Sequence, residues 1–165
     1  MGGVHKYNEN IEQGNAAKNH VNYYWDEYIG LNLDDVMQPY YTNILLVEDD
    51  PTTANYIKAV IRKTMVTPCR IRSFISGSTA YKYILSLKNN RMPGPDYAIV
   101  DFVLNGPLNG LRICRLLEDR FPETQSFLTS SLPIDKIKKE IDGVSPLPLF
   151  ISKPFNPAQL REIFN

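Results

Sequence analysis

A chain of 165 residues, 43% hydrophobic and 22% charged, is long enough for one domain with a genuine core and has an ordinary globular composition. Its 18 basic and 18 acidic side chains cancel, so no global field steers it to nucleic acid or to an anionic membrane. No uninterrupted apolar run approaches bilayer length, and the polar N-terminus is no signal peptide. Cys69 and Cys114 have neither CxxC nor metal-site spacing, so both are expected as buried free thiols of a cytoplasmic protein.

Residues 1–20 are rich in Asn, Glu and Gly with almost no apolar content, and are expected to form a disordered tail. The next segment, 21–41, is an aromatic-rich extension. Val21, Tyr24, Trp25, Tyr28 and Ile29 recur at helical spacing, which predicts a short helix ended by Gly30. Such a stripe ordinarily packs on the main domain; left exposed, it would be a contact for a partner or for a second copy in a homodimer. Residues 1–43 hold Lys6 and Lys18 against six acidic side chains, a net charge of −4 that leaves +4 for the remainder.

From Ile44 the pattern becomes a regular β-α alternation. Ile44-Leu45-Leu46-Val47 reads as a buried strand ending on Glu48-Asp49-Asp50, and Pro51 opens a helix carrying Ile57, Val60, Ile61 and Met65. Cys69 to Ile75 alternates like a strand with one wetter face, at the sheet edge. Ser76-Gly77-Ser78 leads into a helix with Ala80, Tyr83, Ile84 and Leu87. Asp96-Tyr97-Ala98-Ile99-Val100-Asp101 is an apolar run without polar alternation, as expected of a strand buried on both faces in mid-sheet. A helix from Gly110 to about Phe121, a strand Ser126-Phe127-Leu128 ending on Thr129, and a charged helix from Ile134 to Asp142 closed by Gly143 follow. The chain finishes with a strand Leu149-Phe150-Ile151 ending near Lys153-Pro154 and a short helix from Pro157 to Phe164. Five strands alternating with five helices predict a doubly wound parallel sheet.

In such a sheet the carboxyl ends of the strands border the ligand crevice. Glu48 and Asp49, Asp101, Thr129 and Lys153 all fall at strand ends. Three carboxylates at one crevice repel one another unless a hard cation lies among them, and Mg²⁺ takes oxygen ligands of this kind. A hydroxyl and an ammonium at the same edge can hold phosphoryl oxygens. A carboxylate flanked by such groups can accept a phosphoryl group as an acyl phosphate.

Ile44 to Pro51, Ile99-Val100-Asp101, Phe127 to Ser131 and Phe150 to Phe155 together resemble the receiver domain of two-component response regulators over about residues 42–165. The resemblance implies a flavodoxin-like sheet in the order 2-1-3-4-5, an arrangement for which a chemotaxis receiver is a known example. It implies Asp101 as phospho-acceptor, Asp49 as principal metal carboxylate, Glu48 beside it reaching the metal through water, and the Val103 carbonyl as third protein ligand. Thr129 resembles the switch hydroxyl, Phe150 the aromatic switch residue, and Lys153 the phosphate-binding lysine; Lys153-Pro154 matches a bond that is cis in the family. The implied partners are a sensor histidine kinase or phosphotransfer protein and a downstream target, with Mg²⁺ as cofactor. Catalysis would be limited to Mg²⁺-dependent self-phosphorylation from a phosphodonor and autodephosphorylation.

The chain departs from the family at the loop between Asp101 and Gly110, which is one residue longer than the commonest form, with Asn105 or Gly106 where Pro is usual. The stretch from Thr129 to Lys153 is also long, with Pro133, Pro146 and Pro148, and the final helix is short. These differences keep open a second reading, a pseudo-receiver that binds partners without phosphate. An aspartate-nucleophile phosphatase is rejected, because Val103 stands where such enzymes carry a second Asp. Each strand-end residue also has a plain structural alternative: helix capping for Asp50 and Asp49, capping for Thr129, a surface charge for Lys153 and core packing for Phe150. No output domain is expected within these 165 residues.

Overall fold

Apolar runs without polar alternation leave no face for water, and this chain buries them as a parallel sheet covered on both sides. The computed structural model describes residues 41–141 and 148–164. In order these form β1 (Thr42–Val47), α1 (Pro51–Thr64), β2 (Cys69–Phe74), α2 (Gly77–Asn89), β3 (Tyr97–Asp101), α3 (Gly110–Arg120), β4 (Gln125–Ser130), α4 (Ile134–Ile141), β5 (Leu149–Ser152) and α5 (Pro157–Glu162). All strand pairs are parallel and the order is β2-β1-β3-β4-β5, the flavodoxin-like arrangement expected from the sequence. The tail expected over 1–20, the aromatic helix after Val21, and Asp142, Gly143 and Pro146 lie outside the described residues.

Alternation along each strand feeds two cores. On one face Leu45, Val47, Ala98, Val100 and Leu128 meet Ala80 and Ile84 of α2 and Ile113 and Leu117 of α3. On the other, Ile44, Leu46, Ile99 and Phe127 meet Ile57 and Ile61 of α1 and Leu160 of α5. Burying each large apolar side chain here is worth about 1.5–3 kcal/mol over leaving it exposed. Cys114 sits in the first core as expected, whereas Cys69 is only half-buried. The reason is its place on β2, the end strand of the sheet.

Polar residues fix where the helices start. Asp50 accepts hydrogen bonds from the backbone N–H groups of Thr52 and Thr53, with Pro51 in the first turn. Asn109 caps α3 through Arg112, and Asn156 and Gln159 form a reciprocal box at the start of α5. Element limits differ from expectation by a residue or two. β1 begins at Thr42, whose N–H donates to the Pro68 carbonyl, and β2 ends at Phe74, leaving Ile75 exposed. β3 begins at Tyr97 because Asp96 clamps the strand starts instead, its carboxylate accepting from Asn43 N–H at 2.7 Å.

Candidate functional site

Four strand ends converge at one edge of the sheet, and backbone hydrogen bonds beyond the ladders hold them in register. Glu48 N–H donates to the Phe74 carbonyl at 3.0 Å, Phe102 N–H to Thr129 at 2.7 Å and Lys153 N–H to Ser130 at 2.7 Å. Asp101 and Thr129 are direct partners across β3 and β4. The Lys153-Pro154 bond is cis, as expected.

Glu48, Asp49 and Asp101 come together: one carboxylate oxygen of each lies within 4.8 Å of the others. Glu48 and Asp101 are buried and Asp49 half-buried. Lys153 joins them, its Nζ standing 2.7 Å from Glu48 Oε2 and 2.8 Å from Asp101 Oδ2. Burial pushes the Glu48 carboxyl above its ordinary range, and the neighbouring Asp101 charge adds to this, against the pull of Lys153. For Lys153 burial alone would lower the pKa, but hydrogen bonds to Asp101 and Glu48 and their charges win and raise it. The ammonium is therefore held charged.

The three aspartate and glutamate groups that follow β1 divide their work. Asp50 is exposed and caps α1, as the plain reading of the sequence has it, and its bonds to Thr53 and Thr52 lower its pKa. Asp49 is not a cap. Its Oδ2 instead accepts from Asn105 N–H at 3.1 Å, a contact across to the long loop after β3 that the sequence does not signal. In that loop Val103 N–H donates to Asp101 Oδ1 at 3.3 Å, and the Val103 side chain is exposed. Gly106 turns the loop with a φ of 107°, a conformation that favours glycine. At Gly110 any β-carbon would collide with the Asp101 carbonyl oxygen, so the start of α3 packs directly on the end of β3.

One ammonium against three carboxylates leaves two negative charges and a set of oxygen donors, which is what a divalent hard cation needs. Thr129 is fully buried, and its hydroxyl donates only a long 3.5 Å bond to the Val100 carbonyl. Phe150 is half-buried and pairs with Leu128 on β4, one position before the Thr129–Ile151 pair. Its ring packs on the core that faces α2 and α3.

This fold with acidic residues, a hydroxyl and a lysine at its strand ends defines a class. A family model described as the response regulator receiver domain matches residues 44–165. The chain belongs to that family. A response regulator receiver protein from Sinorhizobium medicae WSM419 superposes with a TM-score of 0.61 at 18% identity, over 74% of this chain and 90% of that one. A two-component response regulator from Cytophaga hutchinsonii gives 0.60 at 23% identity, over 74% and 93%. The BeF3-activated receiver domain of DrrB from Thermotoga maritima gives 0.57 at 21% identity, over 74% and 93%. At these identities the likeness is one of fold. Comparison with curated protein sequences finds no match. No helix among the described residues is long and apolar enough to cross a membrane.

Proposed function

We propose that this receiver is a phosphorelay switch in which Asp101 accepts a phosphoryl group from a phosphohistidine of a sensor histidine kinase or phosphotransfer protein. The observation that carries this reading is Lys153 lying across Glu48 and Asp101 with Asp49 beside them. Asp101 Oδ2 is held by the ammonium, while Oδ1 takes only the long bond from Val103, so Oδ1 is the nucleophile. Oδ1 forms the new bond to phosphorus as the phosphorus–nitrogen bond breaks, and the imidazole leaves with the bonding pair and takes up a proton. Hydrolysis of the acyl phosphate by water regenerates the carboxylate.

Glu48, Asp49, Asp101 and the Val103 carbonyl are the groups that would hold Mg²⁺, which when bound neutralises charge on the phosphoryl oxygens. Lys153, kept protonated by its carboxylate neighbours, binds a phosphoryl oxygen, and the Thr129 hydroxyl binds another. Drawing Thr129 toward Asp101 alters the β4–β5 pair at which Phe150 sits, a local charge biasing a two-state packing element. The altered face then docks a downstream protein. We assign residues 42–165 to this domain, 21–41 to an extension and 1–20 to a tail, and place the protein in the cytoplasm, where its two free thiols suit a reducing compartment.

One observation favours the pseudo-receiver: Asn105, in the lengthened loop, already occupies an oxygen of Asp49. Acetyl phosphate with Mg²⁺, read by intact mass, decides between them. One phosphoryl adduct, absent from Asp101→Asn, is expected; no adduct, or one that survives the substitution, refutes the switch.

A further inference from the structure

Charge in this chain is segregated along the sequence. From Pro51 to Pro95 there are eight Lys and Arg and no Asp or Glu, whereas from Val21 to Tyr40 there are Asp26, Glu27, Asp34 and Asp35 and no Lys or Arg. The cationic span folds into α1, β2 and α2, which lie together at one end of the sheet. Among the described residues β2 pairs only with β1, and α1 and α2 pack on opposite faces of the sheet beside it.

Four cations border that end strand. Arg70 and Arg72 stand on its α2 face, the Arg72 guanidinium 4.5 Å above the Tyr83 ring. Lys58 and Arg62 are one turn apart on α1, and Arg62 is near enough to Cys69 for its charge to act on the thiol. The same corner is where the N-terminal stretch joins the fold. Thr42 is bound by the Pro68 carbonyl at 2.9 Å and by the Thr67 hydroxyl at 3.1 Å, and Tyr41 lies under Arg70 with its ring centroid 3.9 Å from the guanidinium. Next to this junction Val66 is 99% exposed.

We propose that residues 21–40 dock across the β2 end of their own receiver domain, their four carboxylates facing Lys58, Arg62, Arg70 and Arg72. The four acidic side chains are opposite in sign to these four cations and equal to them in number, and the covalent junction at Tyr41 already delivers the segment to that corner. Exposed ion pairs are individually weak. A short tether supplies an effective concentration on the order of millimolar, which lets several weak pairs and an aromatic contact act together. The site lies apart from the strand-end carboxylates and does not depend on the phosphorelay reading.

Trp25 is the sole tryptophan and reports on the segment in the full chain. Its emission is expected to be blue-shifted and protected from acrylamide at every protein concentration, with no polyanion added. In Arg70→Glu with Arg72→Glu the emission shifts to that of indole in water and protection is lost. Adding Asp34→Arg and Asp35→Arg to that pair regains both. Lys58→Glu with Arg62→Glu, at a half-buried and an exposed position of α1, should act the same way and decides the matter if the β2 pair does not fold by circular dichroism. Water-exposed Trp25 in the native chain, or protection that survives both reversals, overturns the proposal. Protection that grows with protein concentration assigns the face to a second copy. Protection seen only with phosphatidylserine vesicles or an oligonucleotide assigns it to a membrane or a nucleic acid, and either result also overturns it.

Discussion

Lys153 and Glu48, 105 positions apart in the chain, form a 2.7 Å ion pair in which the Glu48 side chain is 2% exposed and the Lys153 side chain 16%. The same ammonium reaches Asp101, so one group of β5's trailing loop neutralises carboxylates delivered by β1 and β3. The Lys153 ammonium and a cation held by these carboxylates would therefore share the same oxygen donors.

That relationship gives the first prediction. Removing one partner of a buried pair costs about 3–5 kcal/mol, because the remaining charge is left uncompensated. Lys153→Met should lower metal-free stability toward that range, and added Mg²⁺ should stabilise the variant more than the native chain. Urea midpoints with and without Mg²⁺ measure both effects. An equal gain from Mg²⁺ in the two proteins would show that the ammonium and the cation do not share the carboxylates.

The second prediction concerns Asp49. Asp50 is occupied as a helix cap, so Asp49 is the exposed-side carboxylate left for a cation. Asp49→Ala should weaken Mg²⁺ binding by at least about tenfold, a loss of about 1.4 kcal/mol, in calorimetry. Asp50→Asn keeps the cap and should leave the affinity nearly unchanged. If the two variants lose affinity alike, the division of labour among Glu48-Asp49-Asp50 is misassigned.

A third follows from Gly110. Its missing side chain lets α3 start against the Asp101 carbonyl, so Gly110→Ala must push the two apart. Overpacking of this kind costs about 1–3 kcal/mol. The thermal midpoint should fall, and the yield of phosphorylated Asp101 should fall with it as the acceptor is displaced. A stable variant with full phosphorylation would mean that the loop gives way instead.

The fourth tests the switch. Thr129 has only a 3.5 Å bond to the Val100 carbonyl, so its hydroxyl is available to a phosphoryl oxygen. Thr129→Ala should still accept phosphate on Asp101 but lose the change in amide exchange around Phe150. An unchanged response in the variant would direct attention to a relay that bypasses Thr129.

The strand ends were legible because strands buried on both faces have few polar residues, and those that terminate them stand out. Glu48, Asp101, Thr129 and Lys153 could be found in this way. The sharing of Lys153 between Glu48 and Asp101 could not, since it depends on how far apart β1 and β3 hold their ends. The contact from Asn105 to Asp49 is also invisible, because it is made by a backbone N–H that any residue except proline would supply. Cys69 was expected to be buried with Cys114. Its half-burial is set by the place of β2 at the end of the sheet, which alternation alone leaves open.

Cys114 supplies the last prediction. Burial among the apolar side chains of α3 and the sheet pushes its thiol from 9.0 to about 12, with a small further push from Glu118. A group whose folded pKa is raised stabilises the fold fully below its unfolded pKa and loses that contribution as pH rises toward the folded value. Here the loss runs from about pH 9 to about pH 12 and amounts in full to roughly 4 kcal/mol, at 1.36 kcal/mol for each unit of difference. Other groups titrate in this window, so the comparison is between the native chain and Cys114→Ala. The native chain should lose about 2–3 kcal/mol more than the variant between about pH 8 and about pH 11 in urea unfolding. Below that window a thiol reagent should modify half-buried Cys69 and leave Cys114 untouched until the chain unfolds. Parallel pH profiles for the two proteins, together with rapid labelling of both thiols in the folded state, would show that α3 opens to water far more readily than its packing implies.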